Sequence, residues 1–63
     1  MITRKNIEMI IKNTPKELKG KQVKLTSVLG YRQPLLETWY YTIGYTEFKN
    51  INVLVVLKQG KVV

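Results

Sequence analysis

The stretch T-W-Y-Y-T-I-G-Y at residues 38–45 decides the fold that this sequence predicts. It holds the single tryptophan and three of the four tyrosines, interleaved with threonine and isoleucine. Aromatic and β-branched side chains of this kind fit a pleated, half-buried surface, so the stretch predicts a β-strand. Side chains alternate along a strand, which gives the stretch a large apolar face and a smaller reverse face. The predicted core face holds Trp39, Tyr41, Ile43 and Tyr45, and the reverse face holds Tyr40, Thr42 and Gly44.

Further strands are predicted on the C-terminal side of this stretch. We place the aromatic strand at residues 37–45, with Gly44 as a bulge, and a connection at residues 47–52. Residues 53–57 read V-L-V-V-L, an apolar run on both faces of a strand. Such a run calls for a partner or a dimer, unless the helix covers one face and loops cover the other. Gln59-Gly60 predicts a hairpin turn, followed by a short returning strand at Val62-Val63.

The first thirteen residues predict an amphipathic helix over residues 4–13. Ile7, Ile10 and Ile11 fall at i, i+3 and i+4, the spacing of one helix face. Thr3 or Asn6 is suited to cap the N-terminus of this helix.

A second, short helix is predicted after Pro15, because the residue before a proline avoids the helical region. Thr14 would be the N-cap, Pro15 the first helical residue, Glu17 the capping-box partner and Gly20 the stop.

Residues 21–29 fit either a strand or a helix. Val23 and Leu25 alternate with polar residues, whereas Leu25, Val28 and Leu29 fall at helical spacing. The β-branched content tilts this segment toward strand. A loop is expected at residues 30–34, with Tyr31 and Arg32 near its tip.

Together these patterns predict a single α+β domain over residues 1–63. An N-terminal helix and a short second helix pack on an antiparallel sheet of three or four strands. A chain of this length has a thin stability margin. No apolar run approaches the ~20 residues of a transmembrane helix, and the N-terminus lacks the apolar core of a signal peptide. The apolar end of the sequence is compatible with truncation of a longer chain.

The composition argues against an enzyme. The chain has no histidine and no cysteine, so the commonest general base and the strongest nucleophile are both missing. The four acids Glu8, Glu17, Glu37 and Glu47 are scattered along the sequence, whereas oxygen-ligated metal sites need clustered acids. We therefore expect no catalytic residues, no metal site and no cofactor.

The charge predicts an anionic partner. Eleven basic residues face four acids, a net charge of +7, and such a surface attracts nucleic acid, anionic lipid or acidic proteins. Tyr31 and Tyr40 are aromatic rings expected outside the core. The predicted binding residues are Arg4, Lys5, Lys12, Lys16, Lys19, Lys21, Lys24, Tyr31, Arg32 and Tyr40.

Two functions fit this pattern. The first is a non-enzymatic protein-interaction module that binds a protein partner, or a second copy of itself, through the sheet. The alternative is a small nucleic-acid-binding protein that uses its Lys-rich N-terminal half, with Tyr31 and Tyr40 stacking on unpaired bases. Zero cysteine fits a reducing cytosol, so a cytoplasmic location is the default expectation.

The C-terminal half has a series of short motifs in order: L-G-Y-R-Q-P at residues 29–34, then W-Y-Y at residues 39–41, then residues 54–58 and G-K-V-V at residues 60–63. Over residues 29–63 this order resembles the small lipoprotein domains of the SmpA/OmlA (BamE-like) family. The proline here lies four residues after Gly30 rather than two, Gly20 only loosely matches the family's earlier glycine, and no lipobox cysteine is present. The resemblance implies two helices on a three-stranded antiparallel sheet, a helix in place of a strand at residues 21–29, and a protein-interaction role at the cell envelope.

Overall fold

A computed structural model describes residues 3–32 and 41–63 of the chain, which form an α+β domain. Its elements are helix α1 (Arg4–Asn13), a 3₁₀ helix (Lys16–Leu18), and strands β1 (Leu25–Arg32), β2 (Tyr41–Phe48), β3 (Ile51–Lys58) and β4 (Lys61–Val62). The four strands form one antiparallel sheet in the order β1-β2-β3-β4. The predicted fold class is therefore confirmed.

Helix α1 begins and ends where the sequence predicts. The Thr3 hydroxyl accepts a hydrogen bond from the Asn6 backbone N–H at 3.1 Å, so Thr3 is the N-cap. The helix ends at Thr14, whose extended backbone is the conformation expected before Pro15. Ile7 is buried, and Ile10 and Ile11 pack beside it against the sheet.

The second helix differs from its prediction. It is a single 3₁₀ turn, and Pro15 precedes it without a side-chain cap. Thr14 is buried, and its hydroxyl donates to the Ile10 carbonyl oxygen at 2.7 Å, so it finishes α1 instead of capping the next helix. The prediction that Thr14 caps the second helix in a capping box with Glu17 was therefore wrong. Gly20 does end this segment, with φ at +80°.

Several strand boundaries also correct the sequence analysis. β1 occupies the ambiguous segment from Leu25 onward, so the strand interpretation of residues 21–29 holds there. β1 continues through Arg32, so the loop predicted at residues 30–34 was wrong for residues 30–32, and residues 33–34 lie outside the described residues. A strand thus stands where the family resemblance implies a helix. β2 runs three residues past Tyr45. Residues 37–40, including Trp39 and Tyr40, lie outside the described residues.

Two tight turns join the last three strands. Phe48 pairs with Ile51, and Lys49 and Asn50 between them both have positive φ. Positive φ at both central residues is the turn geometry that matches the twist of a hairpin. The connection predicted at residues 47–52 is therefore only two residues long. The Gln59-Gly60 turn is confirmed, although the returning strand is Lys61–Val62, one residue earlier than predicted.

Strand β3 supplies the core with both of its faces. Val55 and Val56 are each 0% exposed, and they point to opposite sides of the sheet. On the helix face, Val56 packs with Ile7 and Ile43. On the opposite face, Val55 packs with Leu18.

Residues 15–24, which we call the covering segment, lie on that opposite face. Leu18 inserts between Val55, Leu57 and Val62. The Gly20 N–H donates to the Val62 carbonyl oxygen at 2.8 Å, and the Val62 N–H donates to the Lys21 carbonyl oxygen at 2.9 Å. The covering segment is thereby hydrogen-bonded along β4.

Two predictions about the core are corrected by this arrangement. Val55, Val56 and Leu57 of the apolar run are buried by the chain itself rather than by a partner or a dimer, whereas Val53 and Leu54 are only half-buried. The aromatic strand was expected to bury one face. Ile43 is buried and Tyr41 and Tyr45 are half-buried, yet Gly44 and Thr46 on the reverse face are buried as well.

Gly44 is a point of close approach between β1 and β2. A Cβ atom placed at Gly44 would clash with the Ser27 carbonyl oxygen and would lie 3.0 Å from Leu25 Cδ1 and 3.2 Å from Val28 Cα. Gly44 itself pairs regularly with Val55. The bulges lie in β1, where the register shifts between Leu25 and Ser27 and again between Val28 and Gly30. The prediction of a bulge at Gly44 was therefore wrong.

Truncating either central valine should destabilise the domain to a similar extent. Val55→Ala and Val56→Ala each remove two buried methyl groups and leave a cavity, at a cost of roughly 2 kcal/mol each. Urea denaturation followed by circular dichroism measures both losses. A wild-type midpoint for one of the two variants would show that its side of the sheet is not packed.

Gly44→Ala should weaken the attachment of β1. The added methyl group displaces the Ser27 backbone, at a cost of roughly 1–3 kcal/mol. Gly60→Ala is the control, because its added Cβ meets no atom within 4 Å and only the positive φ is strained. Amide hydrogen exchange should accelerate across β1 in the Gly44 variant and stay unchanged there in the control. Equal exchange in β1 for the two variants would contradict the close approach.

Candidate functional site

Strand β1 forms an exposed edge of the sheet. Within the described residues it pairs only with β2, and its side chains are largely in solvent. Val28 is 49% exposed, Leu29 56% and Tyr31 65%. An edge of this kind presents unpaired backbone N–H and C=O groups to a partner strand.

The bulges determine where these apolar side chains point. Val28 pairs with Gly44 and Gly30 pairs with Ile43, so Leu29 is the extra residue between them. Leu29 lines the groove beside α1. Val28 shares a face with Gly44 and hence with the covering segment. β1 therefore exposes apolar side chains on both sides of the sheet.

An open groove of about 540 Å³ lies between α1 and β1 on the helix face. Its floor is made by Ile43 and Leu54, and one wall is Leu29. Met9, which is 55% exposed, contributes to the opposite wall. Asn6, Ile10, Asn13 and Val53 complete the lining. The groove exists because a ten-residue helix packed on β3 does not reach across β2 and β1.

Basic side chains flank the groove. Lys5 and Lys12 are four residues before and three residues after Met9, so they share its stripe of α1. Both are exposed. Lys24, which directly precedes β1, lines the depression on the other side of the sheet. The groove is therefore bordered by positive charge on its helix side.

The predicted binding residues do not form one patch. Arg4, Lys5 and Lys12 lie on α1, on one side of the sheet, whereas Lys16 and Lys21 lie in the covering segment on the other. The side chain of Lys19 extends from the covering segment to α1, where its Nζ donates to the Ile11 carbonyl oxygen near the end of the helix. Lys24 ends the covering segment, Tyr31 and Arg32 belong to β1, and Tyr40 lies outside the described residues.

The sequence analysis missed Met9, Val28 and Leu29. Met9 lies off the isoleucine stripe of α1, which was the available signal that it is exposed. Val28 and Leu29 were considered only for their helical spacing with Leu25, and the two bulges in β1 depend on pairing with a distant strand.

A second depression, of about 680 Å³, lies on the other side of β1. Val23, Leu25 and Thr46 line it together with one charge of each sign, Lys24 and Glu47. The Thr46 hydroxyl donates to the Lys24 carbonyl oxygen at 3.0 Å, which fixes the start of β1. Mixed charge and a structural role make this depression the weaker candidate.

Glu17 has an electrostatic role within the covering segment. The backbone hydrogen bond to its carboxylate, followed by the hydrogen bond and charge of Lys49, lowers the pKa of Glu17 below 4.5. The Lys49 Nζ lies 3.3 Å from Glu17 Oε2, and it also lies over the Phe48 ring. The pair joins the covering segment to the β2–β3 turn.

Glu17→Gln should alter the acid sensitivity of the domain slightly. A lowered folded-state pKa contributes stability that is present above about pH 4.5 and is lost as the pH falls through the folded value. The pair is exposed, so the effect should be small. Urea midpoints at pH 7 and pH 3 test this: wild type should lose slightly more stability than the variant on acidification. A larger acid loss in the variant would contradict the assignment.

The described residues give no sign of a metal or membrane site. Among residues 3–32 and 41–63, no three metal-binding side chains of the His, Cys, Asp or Glu type come together. No helix in this described part of the chain is long and apolar enough to cross a membrane.

The chain matches no family model, no curated protein and no solved structure at a significant level. The likeness to the BamE-like family therefore stays a prediction from residues 29–63.

Proposed function

We propose that this domain is a non-enzymatic interaction module that binds an acidic protein partner along β1. The observation that carries the proposal is the combination at this edge of exposed Val28, Leu29 and Tyr31 on a strand that pairs on one side within the described residues. Such edges are used for strand addition by peptides, in which backbone hydrogen bonds give affinity and alternate side chains give specificity.

The sequence of the edge supports this proposal. Proteins usually block an exposed edge strand with a lysine, a proline or a bulge. β1 has two bulges but no charged residue from Leu25 to Tyr31, and the positive charges stand only at its borders, at Lys24 and Arg32. An apolar edge bordered by positive charge complements a partner whose acidic residues flank an apolar one.

Nucleic-acid binding is the second candidate, and the exposure of Tyr31 favours it. A ring that is 65% exposed between Lys24 and Arg32 is a suitable surface for stacking on an unpaired base. The aliphatic neighbours Val28 and Leu29 weigh against nucleic-acid binding, because aliphatic side chains make no favourable interaction with a phosphate backbone. Protein binding explains all three exposed side chains.

Peptide selection against the intact chain tests the proposal. A displayed library of random peptides of about twelve residues should yield binders rich in Asp and Glu around apolar residues. Binding of the selected peptides should fall strongly with Leu29→Glu and little with Ile51→Glu, a matched change at another exposed apolar site. No selected peptide, together with tight oligo-dT binding that falls linearly in log–log form with salt, would favour the nucleic-acid alternative.

A charge-reversal pair separates local from global electrostatics. Lys24→Glu and Lys61→Glu change the net charge by the same amount, but Lys24 directly precedes β1, whereas Lys61 lies in β4, which is bonded to β3 and bridged to Gln22 but not paired with β1. We expect Lys24→Glu to weaken acidic-peptide binding several-fold more than Lys61→Glu, measured by fluorescence anisotropy at low salt. Equal losses would mean that only the total charge matters and that β1 is not the contact.

A further inference from the structure

We infer that the groove between α1 and β1 receives one large apolar side chain of an extended, acidic peptide segment that lies along β1. This inference rests on the proposed function and assigns the chemistry and conformation of the partner segment. The groove of about 540 Å³ opens beside Leu29, a residue of the edge strand itself. A segment paired with β1 therefore has a side-chain site directly beside its backbone.

The lining of the groove selects an apolar occupant. Ile10, Ile43 and Leu54 form an aliphatic floor, and Met9 adds a flexible side chain that adapts to differently shaped partners. Among residues 3–32 and 41–63, no charged side chain lines the groove. The amide side chains of Asn6 and Asn13 stand on the helix wall. They are suited to hydrogen-bond the backbone of a peptide that passes over them.

The charges around the groove select acidic flanking residues. Lys5 and Lys12 stand beside Met9 on α1, and Lys24 borders the start of β1. Successive residues of an extended peptide point to opposite sides. A peptide with its apolar residue in the groove therefore points the residues two positions before and after it toward α1, where Lys5 and Lys12 lie, and its immediate neighbours toward the side of Lys24. Acidic residues at these positions raise the rate of association and fix the register.

The bulges in β1 argue for a short peptide rather than a second copy of this chain. They divide β1 into the stretches before and after Leu29, so a long, regular strand cannot pair along all eight residues. A dimer through β1 would also bring two domains of net charge +7 together. A short acidic segment can pair within one of the two stretches of β1, and its charge is attracted rather than repelled by the domain.

Binding of the tightest selected peptide to groove variants tests the inference. Met9→Ala should weaken binding at least roughly fivefold. Leu29→Ala should do the same, and Ile51→Ala is the matched control with no effect. Replacing the bulky apolar residue of the peptide by alanine should weaken binding to the wild type roughly tenfold or more. The same replacement in the peptide should weaken binding to the Met9→Ala variant by a much smaller factor. If circular dichroism shows that the Leu29→Ala variant is unfolded, the binding of the Met9→Ala variant alone tests the inference.

NMR of the complex gives an independent readout. Peptide addition should shift the methyl signals of Met9, Ile10 and Leu29 and should slow amide exchange along β1. If selected peptides bind without moving these signals, or carry apolar residues at helical spacing, the inference is wrong while the proposed function stands. Concentration-dependent dimerisation that shifts the same methyl signals would overturn it by giving the groove to a second copy. If no peptide binds, both proposals fail.

Discussion

Burial of β3 on both faces is the constraint on which the rest of the domain depends. A strand with Val55 and Val56 fully buried on opposite sides must be covered twice. In a small domain without disulfides or metals, the chain has few residues for this purpose. Helix α1 covers one face, and the covering segment with Leu18 covers the other. Nearly everything N-terminal to β1 is therefore committed to β3.

This arrangement leaves the other half of the sheet, around β1, less well covered. With both covers centred on β3, few of residues 3–32 and 41–63 are left to pack on β1, and Val28, Leu29 and Tyr31 are exposed. The groove beside Met9 and the open edge at Leu29 have the same origin: they are the part of the sheet that a short helix does not reach. The candidate binding surface is thus a direct result of how the core is covered, and it does not require a specialised loop.

The fold was predictable where local patterns carry the information. The isoleucine spacing predicted α1 to the residue, and the apolar run predicted β3. Gln59-Gly60 predicted its turn. Local patterns failed where a distant contact decides. Thr14 was assigned to the wrong helix because its hydroxyl can either cap the second helix or donate to the Ile10 carbonyl oxygen at the end of α1. The burial of Thr14 favours the second of these. The Lys49–Asn50 turn lacks the glycine that marks such hairpins.

The candidate site was less predictable than the fold. Lysine positions are visible in the sequence, but whether they share a surface depends on which side of the sheet each segment covers. The exposure of Leu29 depends on a bulge, and the bulge accompanies the close approach of β1 to Gly44. Neither is encoded within a few residues of Leu29, so no periodicity argument reaches it.

The place of β4 in the sheet has a consequence for the order of folding during synthesis. Val62 is hydrogen-bonded to the covering segment at Gly20 and Lys21, and it pairs with Leu57 of β3. The covering segment leaves the ribosome early, yet its hydrogen-bonding partner is made some forty residues later. Such non-local pairing is slow because the loop must close first. Helix α1 and the β2–β3 hairpin, whose contacts are local, can therefore form before the covering segment is fixed on its face of β3.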